Sequence, residues 1–109
     1  MLNFIVKILN KTKSLLAKLK IDKFGKNSIV HCLVFKRDKS GKIFIGNNCL
    51  INGRLVTEYK DSEIEIKNNV FIGGNTILDC LSKIFIDDNV LISYECILAD
   101  HDSHSIDGD

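Results

Sequence analysis

Four segments of the chain superimpose when it is cut at a period of about twenty residues: FGKNSIV (24–30), IGNNCLI (45–51), IKNNVFI (66–72) and IDDNVLI (86–92), with steps of 21, 21 and 20. A repeat of this kind constrains the fold more than composition does, because each unit must bury its apolar side against the next copy of itself. A second period of six is nested inside. Val30, Ile51, Ile72 and Ile92 lead one hexapeptide, and Lys36, Thr57, Leu78 and Leu98 stand at the next six-residue step. Two places before each lead is a small or branched residue, Ser28, Cys49, Val70 and Val90, and then Thr76 and Cys96. Six residues do not match a helical period, but they suit a short strand plus a corner. Three such units close a coil of about eighteen residues, and the surplus forms a bulge at the third corner. The predicted fold is mainly β: a parallel β-helix of about four coils whose inward residues stack about 4.8 Å apart.

One column of the repeat fits this reading closely. Asn27, Asn48, Asn69 and Asn89 occupy the same place in all four units, where a corner needs a residue that tolerates the left-handed backbone region. The second corner is less uniform, with Leu33, Arg54, Asn75 and Glu95, and is expected to be shaped differently. The third corner carries the longer excursions KRDKSGK (36–42), TEYKDSE (57–63) and LSK (81–83), expected to be surface loops. Cys49 and Cys96 fall at the small inward position and are expected to pack as buried thiols.

Ahead of the repeat, Ile5, Ile8, Leu9, Leu15, Leu16 and Leu19 follow the i, i+3, i+4, i+7 spacing of one helical face. The chain is therefore divided into an N-terminal amphipathic α-helix, residues 1–23, and a β-helix, residues 24–109. The apolar helix face is expected to pack on its own domain or on a neighbouring subunit, or to meet an acidic bilayer through Phe4 and the lysines. The arm holds six lysines, Lys7, Lys11, Lys13, Lys18, Lys20 and Lys23, against the single acid Asp22. With a formal charge of only +1 over the whole chain, the body is net acidic and offers no broad basic face, so nucleic acid is not an expected partner. The four cysteines form no C-x-x-C pair, and Lys7 interrupts the first apolar run without a small-residue cleavage pattern after it. The expected compartment is a reducing cytoplasm, with contact at the inner face of the membrane if the helix binds there.

The pattern in IGNNCLINGRLV, IKNNVFIGGNTI and IDDNVLISYECI resembles that of the hexapeptide-repeat acyltransferases and covers roughly Phe24 to His104. The resemblance implies a left-handed parallel β-helix. The hand comes from the family alone, since general connection rules favour right-handed crossovers and periodicity does not decide it. Sugar O-acetyltransferases of capsule and lipopolysaccharide biosynthesis, which belong to this superfamily, place a histidine just after such a hexapeptide. After Leu98 the repeat breaks into ADHDSHSIDGD, and His101 matches that position as the general base. A neutral imidazole can take the proton of a sugar hydroxyl as its oxygen attacks the thioester of acetyl-CoA.

Aligned coils put Asp79 beside Ala99, one rung below the loop, as a candidate for holding the imidazole or the acceptor. Asp100 and Asp102 flank His101 and are expected to shape the loop or bind acceptor hydroxyls, and His104 is the rival base or a further acceptor contact. No metal is expected: His31 lies three coils away, which excludes a three-histidine zinc site. The resemblance further implies a homotrimer, a saccharide, nucleotide-sugar or glycan acceptor, and further coils after this loop carrying much of the acyl-CoA cleft. On that reading the chain is C-terminally truncated and holds the base with part of the acceptor pocket. The loop does not distinguish a hydroxyl from an amine acceptor. The alternative is a non-catalytic β-helix module for oligomerisation or interaction.

Overall fold

In the computed structural model, which describes residues 2–101, helix α1 covers Leu2–Lys20 and is followed by strands alone. The first coil is made by β1 (Lys23–Phe24) and β2 (Ile29–Lys36), and the second by β3 (Lys42–Ile45) and β4 (Leu50–Thr57). The third contains β5 (Glu63–Ile66), β6 (Phe71–Ile72) and β7 (Ile77–Cys80); the fourth contains β8 (Lys83–Ile86), β9 (Leu91–Ile92) and β10 (Ile97–Ala99). All pairing between coils is parallel. β1, β3, β5 and β8 form one sheet, and the remaining strands form the other, so the chain is a parallel β-solenoid of about four turns.

Strand alternation explains the core. Ile43 and Ile45 pair with Ile64 and Ile66, which pair with Ile84 and Ile86, and all six are buried. On the other sheet Val30, Ile51, Ile72 and Ile92 stack in one column, as the repeat predicts, with the first three fully buried. Burying each such side chain contributes about 1.5–3 kcal/mol, so these ladders supply most of the apolar stabilisation. Cys49 is buried at its small inward position, whereas Cys96, in the fourth coil, is only half-buried.

The first corner is a hydrogen-bonded ladder. Asn27, Asn48, Asn69 and Asn89 all have φ between 57° and 61°. The N–H of Asn48 donates to the Lys26 carbonyl, that of Asn69 to Asn47, and that of Asn89 to Asn68, each at 2.9 Å. A second ladder runs one residue earlier: the N–H groups of Lys26, Asn47 and Asn68 donate to the side-chain oxygens of Asn47, Asn68 and Asp88 at 2.7, 2.8 and 2.9 Å. Gly25 and Gly46 make room for it, since a Cβ at either would stand 2.4 Å from the Asn47 or 2.6 Å from the Asn68 side-chain oxygen.

At the second corner the structure corrects the alignment. β2 and β4 run continuously through it, with Gly53 at φ 88° taking the bend, whereas in coils three and four the corner is a turn with Asn75 and Glu95 left-handed. Ile51 pairs with Ile72 but Arg54 pairs with Ile77, so the third coil carries two extra residues there. The third-corner excursion is correspondingly shorter, and Glu63 pairs with Lys83. The inward column on this side is therefore Val34, Leu55, Leu78 and Leu98; Lys36 and Thr57 are not equivalents of Leu78, and Thr57 pairs with Cys80. Six-residue counting fails where residues are moved from one corner to another.

α1 lies against β2, an edge strand, and covers it. Lys20 Nζ donates to the Val34 carbonyl at 3.1 Å, and Ala17 and Ile21 join the core. The helix docks by an unexpected face. Its least exposed residues are Asn10, Lys13, Ser14 and Ala17, at the i, i+3, i+4, i+7 spacing, while the predicted apolar face of Ile5, Ile8, Leu9, Leu15, Leu16 and Leu19 points to solvent. Small side chains let the helix approach the strand closely.

Two substitutions test this description by urea unfolding. Ile72→Ala should cost about 2–5 kcal/mol, because neighbours above and below prevent collapse of the cavity. Thr57→Val should stabilise by about 1 kcal/mol, since the buried Thr57 hydroxyl has no hydrogen-bond partner and valine has nearly its shape. A destabilised Thr57→Val would contradict the orphaned hydroxyl.

Candidate functional site

Three chemically capable side chains converge where the third corner meets the end of β10. Parallel register sets Val56, Asp79 and Ala99 in one column, so the Asp79 carboxyl sits beside the point where the chain leaves the fourth coil. Glu58 follows β4 directly, its N–H donating to the Cys80 carbonyl at 2.7 Å. His101 follows β10 and brings Nε2 to 3.6 Å from Asp79 Oδ2, with side chains only 16% and 28% exposed. Ligand atoms of Glu58, Asp79 and His101 all lie within 4.8 Å of one another.

The electrostatics of the cluster are unequal. Glu58 is raised above the ordinary glutamate value by hydrogen bonding with Asp79, then by burial and by the Asp79 charge, against the opposing pull of Arg37 and His101. The Arg37 guanidinium nonetheless contacts Glu58 Oε1 at 2.8 Å from an exposed position, where it contributes little. Asp79 Oδ1 and His101 Nε2 are buried atoms without a hydrogen-bond partner. An imidazole and two carboxyls crowded in this way can share and pass a proton.

Asp100 has a different task. Burial opposes its ionisation, but the N–H groups of Leu81, Ser82 and Lys83 donate to it at 2.6, 2.7 and 2.7 Å and hold its pKa below the ordinary value. Its carboxylate ties the start of the loop to the preceding coil's turn and so fixes where His101 emerges. Of the two functions expected for Asp100, this geometry is loop shaping. Asp102 and His104 lie outside the described residues.

Glu58 was not among the residues singled out from sequence. It sits in an excursion read as a surface loop, although a step of 21 residues brings it level with Asp79; in the structure Asp79 pairs with Val56, and Glu58 reaches it from just beyond the end of β4. His31 lies in β2 and lines a different feature, a cavity of about 480 Å³ beneath α1 that also touches Asn10, Lys13, Asn52, Arg54 and Asn75. That cavity reaches the entrance of β7, whereas the cluster lies at its exit. Glu58, Asp79 and His101 could also hold a metal ion, and a tetrahedral ion with bonds of about 2.1 Å needs its ligand atoms about 3.4 Å apart. His101 Nε2 and Asp79 Oδ2, at 3.6 Å, come close to that spacing, and an ion there would compete with Arg37 for Glu58. The thiols are set apart from chemistry by burial, which pushes Cys32 up to about 12 and, with the Asp100 charge, Cys80 up to about 11.

The two carboxyls should show opposite pH signatures in unfolding experiments. Because the folded-state value of Asp100 lies below the ordinary 3.8, its ionised form contributes stability that is fully present above that value and lost as pH falls through the depressed one. Asp100→Ala should therefore cost about 1–2 kcal/mol near neutral pH and progressively less in acid. Glu58 is raised above its ordinary 4.5, so its contribution is full below that value and lost as pH rises through the raised one. Glu58→Gln should equal or exceed the parent in stability at neutral pH; a marked loss there would show that the Arg37 pair dominates.

Compared with models of known protein families, with curated proteins and with solved structures, the chain matches none, and a functional reading rests on the repeat and on this cluster.

Proposed function

We propose that the chain is an acetyl-CoA-dependent O-acetyltransferase, or a fragment of one, that transfers an acetyl group to a sugar hydroxyl. The observation that carries this reading is the placement of His101 against Asp79 at the exit of the last coil of a parallel β-solenoid. With Nε2 turned toward the carboxylate, Nδ1 is left to accept a proton. The separation of 3.6 Å shortens to a hydrogen bond with a small movement, as catalytic contacts do when substrate binds.

In the proposed reaction the acceptor oxygen attacks the thioester carbon while its proton passes to His101. The tetrahedral intermediate then expels the thiolate of coenzyme A, which takes that proton back. Asp79 holds the imidazole and offsets its transient charge, as in other histidine–carboxylate pairs. Glu58, protonated more readily than an ordinary glutamate, restrains Asp79 or contacts the acceptor. The left hand of the solenoid, a cytoplasmic setting and a homotrimer that completes the donor site between subunits belong to the same proposal.

A second reading, a non-catalytic assembly module, is favoured by one observation. Outward-facing Ile29, Leu50, Phe71 and Leu91 form an apolar column along the second sheet, with Tyr94 edge-on to Phe71 at 6.5 Å. Such a stripe invites a second copy.

Thiol release from acetyl-CoA in the presence of sugar acceptors tests the enzyme reading. His101→Ala should lower the rate about 10²–10⁴-fold, and Asp79→Asn less. A rate indifferent to His101→Ala would remove the base assignment. Absence of release from a chain that light scattering shows to be an oligomer, dissociated by Phe71→Lys, would favour the module.

A further inference from the structure

The helix that covers the edge of the solenoid is mounted in reverse. An amphipathic helix in a globular domain turns its apolar stripe to the core. α1 does the opposite: Ala17 is 2% exposed on the docked side, while Phe4, Leu15 and Leu19 are 65%, 62% and 75% exposed. Ile5, Ile8, Leu9 and Leu16 lie between these on the same outward face. Helical spacing places Lys7, Lys11 and Lys18 along one margin of that face, while Lys13 and Lys20 are turned toward β2. α1 contains no acid, and among the described residues none of its lysines forms an ion pair. Among the described residues no helix is long and apolar enough to cross a membrane.

We infer that the outward face of α1 docks on the surface of a bilayer containing acidic lipids. Charge complementarity selects this occupant. The same helix from a second copy would bring five lysines against five, whereas anionic headgroups meet the margin of Lys7, Lys11 and Lys18 while the aliphatic and phenyl side chains enter the acyl boundary. Long lysine stems suit this arrangement, since their ammonium groups reach the headgroups beside the buried stripe. The docked face of Asn10, Lys13, Ser14 and Ala17 keeps the solenoid attached, so lipid binding requires no unfolding of the helix from β2. The membrane would then hold the first coil, with the His101 cluster carried by the later coils.

The inference is independent of any catalytic activity and is tested by binding. The full chain is mixed with vesicles of phosphatidylcholine alone or of phosphatidylcholine with phosphatidylglycerol, and the bound fraction is measured by sedimentation. Binding is expected to the acidic vesicles only. It should weaken as salt is raised from about 0.1 M to about 1 M, which shortens the screening length from about 10 Å to about 3 Å. Leu15→Glu/Leu19→Glu should reduce it on the order of tenfold or more, and Lys7→Gln/Lys11→Gln should reduce it on acidic vesicles. Both double variants alter exposed positions, and circular dichroism confirms that the helix and solenoid remain. Equal binding to neutral vesicles, no binding at all, or binding unchanged in Leu15→Glu/Leu19→Glu would overturn the inference. So would a dimer lost in that variant while vesicles are ignored, which would make a second copy the occupant.

Discussion

Everything in this protein depends on the parallel pairing of one coil with the next, and that pairing is regulated at the corners. Parallel strands have no hairpin to set their register, so each coil must return to the same height by turning through a fixed backbone path. The left-handed asparagines provide that path, and hydrogen bonds between consecutive corners tie each turn to its neighbour. The isoleucine ladders then add apolar burial to a register already set. Side chains on successive coils acquire meaning only through this alignment.

The chemistry of the cluster follows from the same geometry. Asp79 belongs to a strand and is held by its neighbours, whereas Glu58 and His101 come from segments that have just left the sheet. Asp79 is thus a fixed point that two less constrained groups approach from outside the sheet. Asp100 adds firmness from outside by spending its charge on three backbone N–H groups instead of on the cluster. The loop's root is therefore anchored through a neighbouring acid, and His101 need not supply that anchorage.

Much of the fold was legible because it is written in equal steps. The recurrence of Asn27, Asn48, Asn69 and Asn89 and of Val30, Ile51, Ile72 and Ile92 reflects one steric requirement and one packing requirement repeated four times. The neighbourhood of Asp79 and Ala99 was legible for the same reason. Glu58 was not singled out, because it stands in an excursion read as a surface loop; a step of 21 residues reaches Asp79, but the strand partner of Asp79 is Val56, and Glu58 joins the cluster from beyond the end of β4. Nor was the orientation of α1 legible, since a hydrophobic stripe at helical spacing says which side chains share a face without saying which face is docked. The deciding feature was the small side chain of Ala17, which permits a close approach that leucine would prevent.

The shifted register of the third coil has a wider consequence. The second corner lengthens as the third shortens, so the coil keeps nearly its full circumference and still meets its neighbours on the first sheet. Only the side between those corners slides. Such an exchange behaves like turning one wheel of a combination lock: it brings a new set of side chains into line without disturbing the rest. A solenoid can in this way compose a cluster from coils whose sequences, read alone, show no sign of belonging together.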